Sequence, residues 1–289
     1  MLHLGRPIAG PPLRADNGHV IGGGQGAPAL LEPLLSPQPL PPVEPPTQNL
    51  LLGGRVVLRQ PARGYRAGLD AALLAAACDS GPGERVIEAG CGAGGALLAA
   101  ATRRPGAIFT GIEQDREALD LARENLALNS LIDRVSVQTG DVEVGFKALG
   151  LPPFDAAMAN PPFFDDPKTL RAPAPEKTAA WMARGGLAAW TGFLLKAVRD
   201  GGRVTIIHRA DRLADLLSEL GVSAGSFQVR PIHPFADAPA KRILVRAVKT
   251  GKAPLQLLPP LILHARAGGE KHTPEAEAIL RGEADLPWL

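Results

Sequence analysis

The residues in this chain best placed to do chemistry are Asn160-Pro161-Pro162-Phe163. Proline fixes φ and carries no N–H, so the stretch presents carbonyls without competing donors. An Asn amide oxygen and a rigidly held proline carbonyl make two acceptors aimed at one spot. That spot suits an NH2 group conjugated to an aromatic ring or a carbonyl. The lone pair of such a nitrogen is delocalised. Accepting both of its N–H bonds favours a pyramidal nitrogen whose lone pair can face a methyl sulfonium, and no strong base is needed until after transfer. Phe163 can stack on the planar group, a contact worth about 1–3 kcal/mol for a nucleobase. Taken alone, the same residues would read as a proline-stiffened loop with Phe163 and Phe164 as core plugs.

Upstream lies a second chemical feature, Glu88-Ala89-Gly90-Cys91-Gly92-Ala93-Gly94-Gly95. Glycines let backbone approach a ligand, and a helix N-terminus behind them offers free N–H groups. Two cofactor readings fit. Gly90, Gly92 and Gly95 satisfy the dinucleotide pattern GxGxxG, with Glu113 where a ribose-binding acid belongs. Glu88, Gly90, Gly92 and Gly94 equally satisfy the acid-x-Gly-x-Gly-x-Gly pattern of methyltransferases. Glu113 can accept from both ribose hydroxyls, and Asp141 can accept from an adenine amino group, although an Asp after Gly140 also simply makes turns. Hydride transfer has no use for the two acceptors at Asn160 and Pro161. The combination decides for methyl transfer with S-adenosylmethionine as cofactor.

These residues must be positioned by alternating strands and helices. Arg55–Arg59 reads as a short strand, and Asp70 reads as an N-cap for the helix former Ala71–Ala77. Arg85–Ala89 reads as a buried strand before the glycines, Leu97–Ala101 as a helix, and Ile108–Ile112 as the next strand. Residues 115–128 place Ala118, Leu119, Ala122 and Leu126 at helical spacing. Strands follow at Val135–Val137 and Phe154–Ala159, then a helix over 186–199 stopped by Asp200-Gly201-Gly202. A strand over 203–207, a helix over 211–220, and strands near 225–232 and 242–248 complete the pattern. Leu261–Leu263 can add an extended segment, and Thr273 caps a short helix. Such alternation implies a parallel, doubly wound sheet. The last two strands lack a helix between them, so an antiparallel hairpin at one edge is expected.

Bulk composition narrows the classes. Hydrophobic residues make up 45% of 289, enough for a real core, while the net charge of +2 announces no domain-wide nucleic-acid field. Any basic footprint is local: Lys168, Arg171, Lys177 and Arg184 after the tetrapeptide, and Arg55, Arg59, Arg63 and Arg66 before the glycines. Cys78 and Cys91 fit neither a disulfide framework nor a zinc spacing. His208, His233 and His264 lack ligand spacing, so no metal is expected. No apolar run is long enough to span a membrane, and the expected setting is cytoplasmic, with a monomer as the working unit. Residues 1–49 hold 11 of the 29 prolines and are expected to form a disordered extension. Residues 50–289 form the catalytic domain.

The chain resembles the class I methyltransferases with an Asn-Pro-Pro-aromatic motif, and more narrowly the bacterial valine-tRNA adenine N6-methyltransferases, which modify the adenine beside the anticodon. The resemblance covers about 50–289, including Leu52-Gly53-Gly54, Gln60, Gly64–Ala71, and the tail Leu263-His264 with Thr273–Glu277. It implies a Rossmann-like, mostly parallel seven-stranded sheet. It implies cofactor binding by Glu88, Gly90, Gly92, Gly94, Glu113 and Asp141, with Tyr65, Arg66 and Asp70 near the methionine end, and catalysis by Asn160, Pro161, Pro162 and Phe163. Phe163 stands where many adenine-modifying members carry Tyr, and a Phe there also occurs in guanine N2-methyltransferases. The proline-rich leader matches no segment of the family.

The expected acceptor is therefore an exocyclic amino group in RNA, adenine N6 of a tRNA first and guanine N2 second. Protein glutamine N5 is a third candidate. The release-factor enzymes place a helical substrate domain ahead of the cofactor fold, and only about 35 residues expected to be ordered precede Glu88 here. A non-catalytic RNA-binding module is the remaining alternative, and it predicts decay of the glycine loop or the tetrapeptide. Residues 165–184, with Trp181, are expected to form a substrate loop beside an extruded base.

Overall fold

In a computed structural model, the structure describes residues 45–62, 66–163, 186–266 and 271–288. The expected substrate loop, Tyr65, Arg63, Trp181 and the basic residues Lys168, Arg171, Lys177 and Arg184 lie outside them. Residues 1–44 lie outside as well.

The central sheet starts with β3 (Arg85–Ala89), β4 (Ile108–Glu113), β5 (Val135–Thr139) and β6 (Phe154–Ala159), all parallel. It continues through β7 (Val198–Arg209), β8 (Ala224–His233) and β9 (Arg242–Lys249). Along the sheet the order is β8-β9-β7-β6-β3-β4-β5, and β9 alone runs against its neighbours β7 and β8. The expected edge hairpin is thus β8–β9, with β9 tucked inside. Two-residue strands β10 (Gln256–Leu257) and β11 (Leu261–Ile262) pair with the outer edge of β8 and extend the seven strands to nine. They cover an edge that would otherwise present unpaired N–H and C=O groups.

Helices cover both faces. Buried residues of α1 (Leu69–Ala76), α2 (Gly95–Arg103) and α6 (Pro274–Arg281) pack into one core, and those of α4 (Gly186–Ala197) and α5 (Leu213–Leu220) into the other. The small faces of α1 and α2, rich in Ala, let the two helices lie close under the sheet. No helix among the described residues is long and apolar enough to cross a membrane.

Three boundaries move from expectation. Asp70 does not cap α1: Gly68 is the N-cap, and the Asp70 carboxylate accepts from Arg242 Nε at 3.0 Å instead. The Asp200-Gly201-Gly202 stop lies inside β7, where the ladder to β6 jumps from Phe154↔Val198 to Ala156↔Arg203. Gly201 at φ 74 lets the strand bulge rather than break. The ordered chain also begins before residue 50. Strand β1 (Thr47–Leu51) pairs antiparallel with β2 (Val56–Gln60) as soon as Pro46 is passed, because from there each residue can donate to a ladder.

This hairpin is docked by two amides on α3 (Arg116–Leu128) and its C-cap. Asn129 accepts from Val57 N at 2.8 Å and donates to Val57 O at 2.7 Å. Asn125 does the same for Arg59, with both distances 2.8 Å. Positions four apart on a helix rise about 6 Å, and positions two apart on a strand about 6.6 Å, so the two amides meet successive peptide groups on the free edge of β2. The second N–H of Asn125 reaches Ala93 O at 2.9 Å, which ties hairpin, helix and glycine loop together. Asn125→Ala should lower the unfolding free energy by about 2 kcal/mol, since it leaves three part-buried backbone groups without their amide partner. Asp120→Ala on the exposed face should change it by less than about 0.5 kcal/mol. Urea denaturation of the two variants checks the contrast.

Candidate active site

Strand register places the expected residues at one level. Ala89, the last residue of β3, pairs with Ile112 on one side and Ala159 on the other. The next residue along each strand is Gly90, Glu113 or Asn160; Gly90 and Asn160 leave the sheet there, and Glu113 ends β4 against Thr139 on the same edge. Asp141 follows the end of β5 by two residues on the same edge. Open α/β sheets bind ligands outside these carboxyl ends.

The loop from Gly90 to Gly94 is tightly specified. Gly90 has φ 66, and a Cβ there would fall 2.4 Å from the Trp190 ring, so both backbone and packing demand glycine. Gly95 opens α2, and a Cβ there would lie 2.2 Å from Ala67 Cβ. The lead-in segment therefore crosses directly over the helix N-terminus. Gln60, itself buried, fixes that crossing by accepting from Ala67 N at 2.6 Å. Gly94 is the N-cap of α2. At Gly92, chain neighbours apart, no heavy atom of the described residues lies within 4 Å of a Cβ position, which leaves room for a ligand against the loop.

Glu113 is bound into this loop. Its Oε2 accepts from Gly92 N at 2.7 Å, and its Oε1 accepts from Gln114 N and Asp115 N at 2.9 Å each. Burial raises its pKa above the ordinary carboxylate value, and the three N–H bonds oppose the rise. Glu88 is 3% exposed and its Oε2 has no hydrogen-bond partner among the described residues. Burial, then the charge of Glu113, push Glu88 well above the ordinary range. Three amide N–H groups favour charge on Glu113, whereas the apolar surroundings of Glu88 disfavour it there. Cys91 between them is also raised, by burial and then by the two carboxylates, so its thiol is no nucleophile.

Other expected residues take definite places. Asp141 Oδ1 accepts from Glu143 N at 2.8 Å. Pro161 is buried and Phe163 half-buried at the mouth of the edge. The Phe163 ring meets His208 perpendicularly, with centroids 5.4 Å apart, and carries the Arg242 guanidinium 4.5 Å from its centre. Neither partner was expected from sequence. The antiparallel run of β9 supplied the missing signal, because the first residue of such a strand falls at the carboxyl edge of its parallel neighbours.

The upstream arginines are committed within the protein. Arg66 donates to Thr47 Oγ1 and Asn49 Oδ1, each at 2.7 Å. Arg55 donates to the carbonyls of Arg281 and Gly282 at the end of α6, and Arg59 pairs with Glu124. Among the described residues no group of three or more His, Cys, Asp or Glu could hold a metal ion.

A family model described as a methyltransferase domain matches residues 80–221, the stretch that carries the glycine loop, Glu113, Asp141 and Asn160. The chain carries a class I methyltransferase domain. S-adenosylmethionine is the cofactor such a domain takes, and the open space at Gly92, the α2 N-terminus and the Glu113 carboxylate fit it. The domain is 29% identical over 54% of this chain to a release factor glutamine methyltransferase of Chlorobaculum tepidum. It is 33% identical over 52% of this chain to a tRNA1(Val) (adenine(37)-N6)-methyltransferase of Porphyromonas gingivalis. The chain spans 56% and 61% of the lengths of these two relatives. A crystal structure described as a predicted O-methyltransferase of Agrobacterium tumefaciens superposes with a TM-score of 0.63 at 28% identity, over 75% of this chain and 98% of that one.

An ionised Glu113 accepts hydroxyl donors far better than a protonated one. Cofactor affinity should therefore fall on acidification through a pKa above the ordinary carboxylate range. Calorimetric titration across pH should show that limb in the native protein. In Glu113→Gln, affinity should be weaker and the limb gone.

Proposed function

We propose that the methyltransferase domain methylates an exocyclic amino nitrogen of a nucleobase in RNA, adenine N6 of valine tRNA in first place. The observation that carries this is the exit of Asn160 from β6 level with Gly90 and Glu113, followed within three residues by the Phe163 ring. An acceptor pair and a stacking ring beside a cofactor loop match a planar amino group. The name of the Porphyromonas gingivalis relative supports the adenine assignment. Phe163 in place of Tyr supports guanine N2 as the second reading, and the Chlorobaculum tepidum relative makes a glutamine amide the third.

In this reading Glu113 holds the ribose hydroxyls of the cofactor, Asp141 accepts from its adenine amino group, and the Gly90–Gly94 backbone lies against it beside Glu88. The lead-in segment runs beside the methionine end, with Arg66 bracing it against β1, while the Asp70 carboxylate is taken up by Arg242. Bound S-adenosylmethionine supplies an electrophilic methyl group on a sulfonium. Asn160 Oδ1 and the Pro161 carbonyl accept the two N–H bonds of the acceptor amine and turn its lone pair toward that methyl. Pro161 and Pro162 keep the carbonyls rigid and bring no competing donor. Phe163 fixes the plane of the base, and that orientation is where most of the rate is gained.

Labelled methyl transfer to total tRNA, followed by nucleoside analysis, should yield N6-methyladenosine. Methylguanosine would move the assignment to the second reading, and label in protein alone would sink the RNA reading. Asn160→Ala should abolish transfer and leave cofactor affinity within about threefold, because it removes an interaction with the acceptor only.

A further inference from the structure

The Phe163 ring follows two prolines on a loop, and a ring on a loop needs walls to present one face reproducibly. The described structure supplies two. His208 is buried on β7 and meets the ring at 84°. Arg242, the first residue of β9, lies over it. Arg242 is itself held twice, by Asp70 Oδ2 on Nε at 3.0 Å and by the Lys241 carbonyl on Nη1 at 3.1 Å. Its register partner is Arg209, and the next pair along is His208 with Ile243, so both walls stand on the rigid β7–β9 ladder. Asp70 comes from the first turn of α1, across the sheet edge from the tetrapeptide. The pair is partly buried on both sides, where screening is reduced and a cation over a π face holds more strongly.

We infer that Arg242 is a positioning residue for the acceptor: anchored by Asp70, it walls one side of Phe163 and leaves the opposite face for the target base. This rests on reading Phe163 as the stacking ring. It also gives Asp70 a role through Arg242 rather than at the cofactor. A guanidinium suits the task because its planar group stacks on the ring while its edge binds the carboxylate, which an ammonium cannot do in one geometry.

The test uses the full chain and four variants: Arg242→Gln, Arg242→Lys, Asp70→Asn and the double variant Asp70→Asn/Arg242→Gln. Cofactor affinity is read by calorimetry, which also reports folding, and kcat and KM are read for the acceptor. Arg242→Gln and Asp70→Asn should each lower kcat/KM about 10- to 100-fold, the loss expected when a reacting group is slightly misplaced. Cofactor affinity should stay within about twofold, and the double variant should be no worse than either single, as for two members of one unit. Arg242→Lys should recover part of the loss. The inference is overturned if Arg242→Gln binds cofactor and turns over at native kcat and KM. It is equally overturned if Asp70→Asn weakens cofactor binding while Arg242→Gln does not, which would return Asp70 to the cofactor. If the native protein labels an acceptor other than RNA, the functional proposal falls, and the same ratios decide the Arg242 inference on that acceptor.

Discussion

Everything at this site depends on parallel strands ending level. Ala89 pairs with both Ile112 and Ala159, so the peptide groups just beyond β3 have no ladder partner on either side at the next step. The chain must satisfy them locally, and it does so with the elements of the site. Cys91 N returns to Ile112 O at 3.0 Å, and Gly92 N is taken up by the Glu113 carboxylate. Glu113 thereby closes the loop onto the neighbouring strand. A one-residue slip in either pairing would turn Glu113 or Asn160 to the opposite face of the sheet.

Much of this was legible in the amino-acid pattern because the pattern is local. Val86-Ile87-Glu88-Ala89 followed by glycines, and Phe154–Ala159 followed by Asn-Pro-Pro, announce buried strands ending in functional loops within a few residues. The alternation of strand and helix then dictates which strand ends share an edge. What stayed hidden depends on partners far apart in sequence. Asp70 has the composition of a helix cap, and nothing nearby reveals that Arg242 will claim its carboxylate across 172 residues. Asn125 and Asn129 look like ordinary polar positions on α3, yet they serve the edge of a hairpin some 66 to 72 residues earlier. Trp190 gives no sign that it underlies Gly90. The expected extension overran at its end, because Thr47 to Asn49 find a partner strand that composition does not show.

The hairpin shows how a short two-stranded ribbon, marginal alone, becomes part of a site. Its outer face is completed by the α3 amides, and its inner residues Val56 and Leu58 are buried in the core. Gln60 then holds Ala67 over the first turn of α2. Through this sequence of contacts the lead-in segment is fixed to the same loop that would hold the cofactor. Hairpin, helix and loop are thus tied by one continuous set of hydrogen bonds.

The two buried acids set function against stability in opposite directions of pH. A carboxyl whose folded pKa is raised contributes most to stability below its unfolded pKa, and that contribution is lost as pH rises through the folded value. Glu113 and Glu88 both have raised values, so the ligand-free fold is weakened by the same ionisation that makes Glu113 a good acceptor. Ligand binding reverses the balance, since whatever binds only the folded form stabilises it in proportion to RT ln(1 + [L]/Kd). In the proposed ribose role, charge on Glu113 is thus destabilising in the empty site and productive in the filled one. The apolar burial of Glu88, and then the charge of Glu113, disfavour a second buried charge beside the first.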